Sequence, residues 1–520
     1  MNLRPRLLHP LLLSLLAAPA ASLFADVKPS ALFQDHAVLQ REKPVPVWGV
    51  ADAGEKVTVT FAGQSLSTTA DAAGRWSVTL APLPTSATPA TLTIAGKNTV
   101  TLSDIVVGEV WLASGQSNME WIVNNMHDAD LERRTARFPL IREIKVKKTP
   151  AAEPASTFQG EWRAAAPDTV GTFSAVAYAF AKDVHLALDV PVGIINSSWG
   201  GTPVEAWMSP AALASDPAFA VVRERWQKTL ADYPAKKSAY DIELAAWQAE
   251  KAAAEAAGTR FTKMSPRAPQ GPDSPHAPAV LHNGMIAPLL PSALRGAIWY
   301  QGESNAGRAS EYHALFSSMI TGWRSDFAQG NFPFFWVQLA AFKSGRADAT
   351  EWAFLREAQT RTLALPATGQ AVILDAALSD FGDIHPRAKI PVGRRLARLA
   401  LARAYGDQAL ADSGPVFASF EPVAANLEAT PAQPAALRVS FTGGEGKIRQ
   451  PAPTVTGFEI AGEDRVFHPA DARLDNGSVI VSAAAVPAPV AVRYAWRNHP
   501  VAGLQDNLGL PVAPFRSDTW

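Results

Sequence analysis

Residues 105–120 read IVVGEVWLASGQSNME, an apolar run that stops abruptly in small and polar residues. Ile105, Val106, Val107, Val110, Trp111, Leu112 and Ala113 leave no consistently polar face under a two-residue period, as expected of a strand covered on both sides. Similar runs recur at 192–195, 297–300, 332–339 and 371–374. Helix-like stretches separate them, among them 175–188 and a closing amphipathic segment at 391–405. Buried runs alternating with helices predict an α/β domain with a parallel sheet and helices on both faces, beginning at about residue 104. Ligands of such sheets collect beyond the carboxyl ends of the strands, so the residues that follow each run are the ones to read for chemistry.

The first run is followed by Ser114-Gly115-Gln116-Ser117-Asn118-Met119. A serine beside a glycine at a strand end can present its hydroxyl at the sheet rim, with its own N–H facing the same space. Ser117 is therefore the nucleophile candidate; the plainer reading is a polar turn or helix cap. The segment lacks the Gly-x-Ser-x-Gly elbow of α/β-hydrolases. The second strand end carries Asn196-Ser197-Ser198-Trp199-Gly200-Gly201-Thr202-Pro203, whose paired glycines allow backbone amides to approach a ligand as oxyanion donors, or simply form a turn. The third carries Gln301-Gly302-Glu303-Ser304-Asn305, rich in uncharged donors that suit hydroxyls or an oxyanion, or helix capping. Late in the chain, Asp380-Phe381-Gly382-Asp383-Ile384-His385-Pro386 sets an acid two residues before a histidine. Such an acid can fix the imidazole tautomer and turn the other ring nitrogen toward a serine. A metal would need further ligands, and none is legible.

Outward from this domain the texture changes. Residues 26–103 alternate over short β-branched stretches such as Lys56-Val57-Thr58-Val59-Thr60-Phe61, which predicts a small antiparallel β-sandwich. Residues 209–280 form an Ala-rich helical insertion with Trp226, Tyr240 and Trp247 among charges, closed by a Pro-rich loop at 265–278; a lid and a packed helical hairpin are both open. The α/β domain ends near 415, and 416–520 return to short strands as a C-terminal β-rich module. Residues 1–25 order Arg4 and Arg6, an apolar stretch and small residues as a secretory signal does, so export to a bacterial periplasm or exterior is expected.

Composition narrows the function. A net charge of -1 over 520 residues supplies no field for nucleic acid or an anionic bilayer. No later run reaches the length of a membrane-spanning helix. The absence of cysteine removes disulfides, thiolate zinc sites and a cysteine nucleophile.

Five blocks in this order resemble the SGNH-hydrolase superfamily, and within it the sialate O-acetylesterase group of carbohydrate acetylesterases. They are Gly115-Gln116-Ser117-Asn118-Met119, Trp199-Gly200-Gly201-Thr202-Pro203-Val204-Glu205-Ala206-Trp207, Asn283-Gly284-Met285-Ile286-Ala287-Pro288, Trp299-Tyr300-Gln301-Gly302-Glu303-Ser304-Asn305 and Asp383-Ile384-His385-Pro386. The resemblance spans about residues 104–405 and implies an SGNH, flavodoxin-like sheet domain. It implies an O-acetyl esterase without cofactor or metal, acting on acetylated carbohydrate through an acetyl-serine. In the implied roles Ser117 attacks, His385 takes its proton and Asp383 holds His385. The implied oxyanion hole joins the Ser117 amide, Gly200 or Gly201, and a third-block side chain, Gln301 first and Asn305 second. Many members carry the acid three residues before the histidine; that position is Gly382 here, which leaves Asp380 as an alternative to Asp383.

The sugar stays open between sialic acid and plant-wall polymers such as xylan or xyloglucan. No arginine cluster for a sialate carboxylate is legible in the blocks, which favours the polymer, although Arg324, Arg356 or Arg387 could supply one. The rival from another class is a non-catalytic sugar-binding surface protein that uses its β modules and some of its 15 tryptophans.

Overall fold

The computed structural model describes residues 26–376, 380, 382–426, 428, 434–446, 448–451 and 454–520; the leader expected over 1–25 lies outside them. The centre of the molecule is a sheet whose main path has seven strands: β1 (Thr99–Gly115), β2 (Phe138–Lys145), β3 (Trp162–Ala165), β4 (Val192–Ser198), β5 (Gly296–Tyr300), β6 (Phe334–Val337) and β7 (Thr368–Ala371). Their spatial order is β3-β2-β4-β1-β5-β6-β7. Every neighbouring pair is parallel except the edge pair β3–β2. This is the α/β sheet expected from the buried runs. The run at 371–374 is displaced from its strand, because β7 ends at Ala371 and the residues after it continue as buried loop.

Opposite faces of the sheet are covered by different helices. Trp111 of β1 packs edge-on to Phe180 of α2 (Ala175–Leu188; α1 is the short Ser117–Glu120), with ring centroids 5.0 Å apart. Helix α5 (Lys389–Arg403) packs beside α2 on that face. Trp299 of β5 instead meets Phe316 and Trp323 of α4 (Ala309–Phe327), at 6.2 and 5.7 Å, while α3 (Ala220–Ala256) lies in the insertion between. Both indoles are fully buried, each worth on the order of 5 kcal/mol of apolar transfer before ordering entropy is counted. Gly296 leaves no room for a side chain: a Cβ there would stand 2.5 Å from Pro333 O and 2.6 Å from the Trp111 ring.

Strand β1 is long because it serves two sheets. Its first half pairs antiparallel with Ser86–Ala95 in the N-terminal β region, and its second half lies between β4 and β5. The boundary read at 103/104 thus falls inside one continuous strand. The C-terminal region holds two four-stranded sheets, tied to the centre by Arg516 on Glu357 at 2.8 and 2.9 Å. Among the described residues no helix is long and apolar enough to cross a membrane.

From β1 the chain first builds one side of the sheet, through β2, β3 and β4, then crosses to build the other from β5 onward. The reversal point of the topology is therefore the carboxyl end of β1, flanked by the ends of β4 and β5. Ser198, Gly115 and Tyr300 stand in register there. Trp199 N–H donates to Gly115 O at 3.0 Å and Gln116 N–H to Tyr300 O at 2.9 Å, which locks three successive strand ends into one rim.

Candidate active site

Ser117 opens α1 directly beyond β1, so its N–H, as a first-turn amide, has no partner within the helix. The turn into α1 requires Gly115, whose φ is +132° and whose absent Cβ would stand 2.2 Å from Tyr300 O. His385 reaches the same rim from the loop before α5, and its Nε2 lies 2.8 Å from Ser117 Oγ. The two residues are 268 apart in sequence. Asp383 Oδ1 accepts from the His385 backbone N–H at 2.8 Å and lies 3.3 Å from Nδ1. Asp380 is turned away: its carboxylate accepts from Arg387 N–H at 3.0 Å and lies 3.6 Å from His127 Nε2. Between the two acids left open by the sequence, Asp383 is the one in contact with the imidazole.

Burial pulls the His385 pKa below its ordinary value; Asp383 opposes the shift and the Lys389 charge adds to it. The ring is thereby kept neutral and able to accept a proton near neutrality. Trp121 stacks on it at 5.0 Å with an interplanar angle of 19°. The sequence offered no signal for this contact, since Trp121 follows the serine block without periodicity.

Asn118 binds the serine turn to the histidine loop. Its amide donates to Ile384 O at 3.0 Å and to Glu303 Oε1 at 2.6 Å, and its Oδ1 accepts from Lys389 Nζ at 2.5 Å. Burial pushes the Glu303 carboxyl up and the Lys389 ammonium down to about 7. Gln116 Oε1 accepts from Gly302 and Ser304 N–H at 3.3 and 3.4 Å, joining the first block to the third.

The residues expected to donate to an oxyanion differ in how far other protein groups already engage them. Gly200 packs against the serine, since a Cβ on it would lie 3.1 Å from Ser117 Cβ, but its N–H donates to Glu120 Oε2 at 2.8 Å. Gly201, with φ +78°, has open space before its α-carbon. Gln301 is fully buried; its Nε2 donates to Asn305 Oδ1 at 2.7 Å and Thr202 O at 3.3 Å, and its Oε1 accepts from Tyr312 O–H at 2.8 Å. Asn305 accepts from Val204 N–H at 2.9 Å and donates to Glu205 Oε2 at 2.8 Å. Both third-block amides brace the turn after β4 from behind, because burial obliges each polar atom to find a protein partner. The Asn283 block acts in a similar way: Ser197 O–H donates to Met285 O at 2.9 Å, and a Cβ on Gly284 would collide with Thr149 O at 1.8 Å.

Of the arginines considered for a carboxylate, Arg324 and Arg356 are buried on backbone carbonyls, among them Phe332 O and Leu339 O at 2.8 Å. Neither is open to a substrate. Arg387 donates to Asn125 O at 3.1 Å. Among the described residues no group of three or more His, Asp or Glu is arranged to hold a metal ion.

Comparison with known proteins places the chain among carbohydrate acetylesterases. A family model described as "Carbohydrate esterase, sialic acid-specific acetylesterase" matches residues 280–402. Sialate O-acetylesterase of Rattus norvegicus is 31% identical over 458 residues, covering 81% of this chain and 82% of its own. The Homo sapiens sialate O-acetylesterase is 30% identical over 416 residues, covering 73% and 71%. The crystal structure of a carbohydrate acetylesterase from Xanthomonas citri superposes with a TM-score of 0.79 at 37% identity, over 95% of this chain and 100% of that one.

Proposed function

This chain belongs to the sialate O-acetylesterase family and is a carbohydrate O-acetylesterase; from that premise we propose that Ser117 carries the acetyl group as a covalent intermediate. The observation that supports this reading most is the 2.8 Å separation of His385 Nε2 and Ser117 Oγ at the reversal point of the sheet.

His385 takes the Ser117 proton as Oγ adds to the acetyl carbonyl. The tetrahedral oxyanion is held by the Ser117 N–H and the Gly201 N–H, the two rim amides suited to it once Gly200 faces Glu120. Collapse expels the sugar alkoxide, which recovers the proton from His385 and leaves acetyl-Ser117. Water, deprotonated by the same imidazole, then releases acetate and restores the serine. Asp383 holds His385 by its backbone N–H and its Nδ1 side, which favours the tautomer with Nε2 free to accept.

The physiological substrate in this reading is an O-acetylated carbohydrate met outside the cytoplasm, after export directed by residues 1–25. A non-catalytic sugar-binding role is less well supported, because it gives the serine–histidine contact and the family membership no work to do. Ser117→Ala is expected to abolish acetate release from acetylated sugar and from p-nitrophenyl acetate while leaving the melting temperature unchanged. A folded, fully active Ser117→Ala protein would overturn the assignment.

A further inference from the structure

The insertion joins the rim through the first turns of α3. Of that 37-residue helix only Val222 is buried, and most of its length stands in solvent. Its opening turns instead form one wall of a cleft of about 280 Å³, to which Trp226 and Thr229 contribute. Gly201 and Glu205 from the turn after β4, and Ser304 and Arg308 from beyond β5, make the opposite side. The returning loop closes it with Gln270 and His276.

Three features define what fits there. The first is position. The cleft is floored by Gly201, next to the Gly200 that packs on Ser117, and His276 Nε2 lies 2.9 Å from Gly201 O, so the insertion is pinned to the turn beside the nucleophile. The second is lining. A half-buried indole with threonine, glutamine and serine side chains combines an apolar face with hydroxyl-sized polar groups, the mixture that suits a sugar ring.

The third is charge. Arg225 and Arg308 both border the cleft, but Arg308 Nη2 is 2.7 Å from Glu205 Oε1 and Arg225 Nη2 is 2.7 Å from Glu311 Oε1. Arg225 Nη1 also stands 3.7 Å from Glu205. Two guanidinium groups face two carboxylates, so an entering anion would find both cations already neutralised. Burial lowers the His276 pKa, so this ring adds no charge near neutrality. Arg225 Nη1 and Arg308 Nε are buried and stand 3.7 Å from Glu205 and 3.9 Å from Glu311, so neither nitrogen is open to a ligand carboxylate.

We propose that this cleft is the glycosyl subsite of the esterase and that it takes a neutral O-acetylated sugar unit, as in a wall polysaccharide, in preference to a sialic acid with its free carboxylate. The proposal rests on the esterase reading above. The indole of Trp226 carries the ring, the polar side chains read its hydroxyls, and the acetyl group points over Gly201 toward Ser117.

The test is steady-state kinetics on three esters: p-nitrophenyl acetate, an acetylated xylo-oligosaccharide and an O-acetylated N-acetylneuraminic acid. The full-length wild type should show a higher kcat/KM for the neutral oligosaccharide than for the sialate. Trp226→Ala should lower the ratio of kcat/KM on the oligosaccharide to that on p-nitrophenyl acetate by about tenfold or more, chiefly through KM, as loss of a central aromatic contact does. Thr229→Phe, which fills the cleft from a half-buried position on the helix, should lower the same ratio by obstruction alone. Ratios unchanged in both variants, or a wild type that prefers the sialate, would overturn the subsite while leaving the esterase standing. A wild type inactive on all three esters would instead remove the esterase reading itself, and the subsite with it.

Discussion

Lys389 donates to Asn118 Oδ1 at 2.5 Å immediately behind the serine turn, and the same Asn118 amide reaches Ile384 O in the histidine loop at 3.0 Å. The residue after the proposed nucleophile thus fastens the loop that carries the proposed base. Asn118→Leu keeps the volume but removes all three polar contacts, leaving Lys389 and Glu303 as buried groups without it. Unsatisfied buried partners cost about 1–3 kcal/mol each. Misplacement of a base by about 1 Å costs about a hundredfold in rate. The variant should therefore show both a lower urea midpoint and a kcat reduced by about ten- to a hundredfold; a stable protein of normal kcat would show that Asn118 positions nothing.

The pH profile follows from the surroundings of His385. Burial and then the Lys389 charge hold its pKa below the ordinary 6.5, with Asp383 acting the other way. In its proposed role as general base it works deprotonated, so the acid limb of kcat/KM should fall below 6.5 in the wild type. Trp121→Ala opens the ring to water and Lys389→Met removes the neighbouring cation. Both should move the acid limb upward. A limb that stayed fixed in both variants, or moved down, would mean that some other group titrates.

Asp383 and Asp380 can be separated by the same kinetics. Asp383 touches the histidine at its backbone N–H and 3.3 Å from Nδ1, whereas Asp380 caps Arg387 and faces His127. Asp383 is more than half exposed, so water can partly replace it. Asp383→Asn is expected to lower kcat by about a hundredfold, less than the roughly 10⁴-fold that loss of a buried triad acid costs. Asp380→Asn should lower it by less than about tenfold, since its role passes through the loop. The reverse order would transfer the orienting role to Asp380.

How much of this was legible in the sequence depends on the range of the interaction concerned. The three polar blocks at 114–119, 196–203 and 301–305 stood out because each follows a strand buried on both faces, and their meeting at one rim follows from parallel register: Ser198, Gly115 and Tyr300 align. Helix α2 at 175–188 was read to its bounds because helical patterning is local; the structure adds a Ser174 cap that accepts from Ala177 N–H. The boundary at 103/104 marks a real change in burial along β1, from alternating to fully buried. It was read as the end of a domain because sequence texture reports how a strand is covered, and the backbone runs straight on. The contacts of Trp121 with His385, Glu120 with Gly200 and Lys389 with Asn118 join residues brought together only by the sheet, and no local period announces them.

The oxyanion donors give the sharpest contrast between what the blocks suggest and what the geometry favours. A glutamine at a strand end near a catalytic serine reads as a donor to the anion, yet Gln301 has both amide hydrogens directed at Thr202 O and Asn305 Oδ1, and its carbonyl oxygen on Tyr312 O–H. Gln301→Leu should therefore act mainly on stability, by about 1–3 kcal/mol for each buried partner stranded. Its kcat should fall by less than the hundredfold or more that removal of an oxyanion donor costs. Gly201 is the opposite case. At φ +78° an added Cβ meets nothing within 4 Å, so Gly201→Ala strains only the backbone carrying the proposed donor, at about 1–3 kcal/mol. Its kcat should fall out of proportion to its change in urea midpoint. If Gln301→Leu lost a hundredfold in kcat at unchanged stability while Gly201→Ala stayed active, the anion would have to be bound from the third block, and the rim amide of Gly201 would be only a turn.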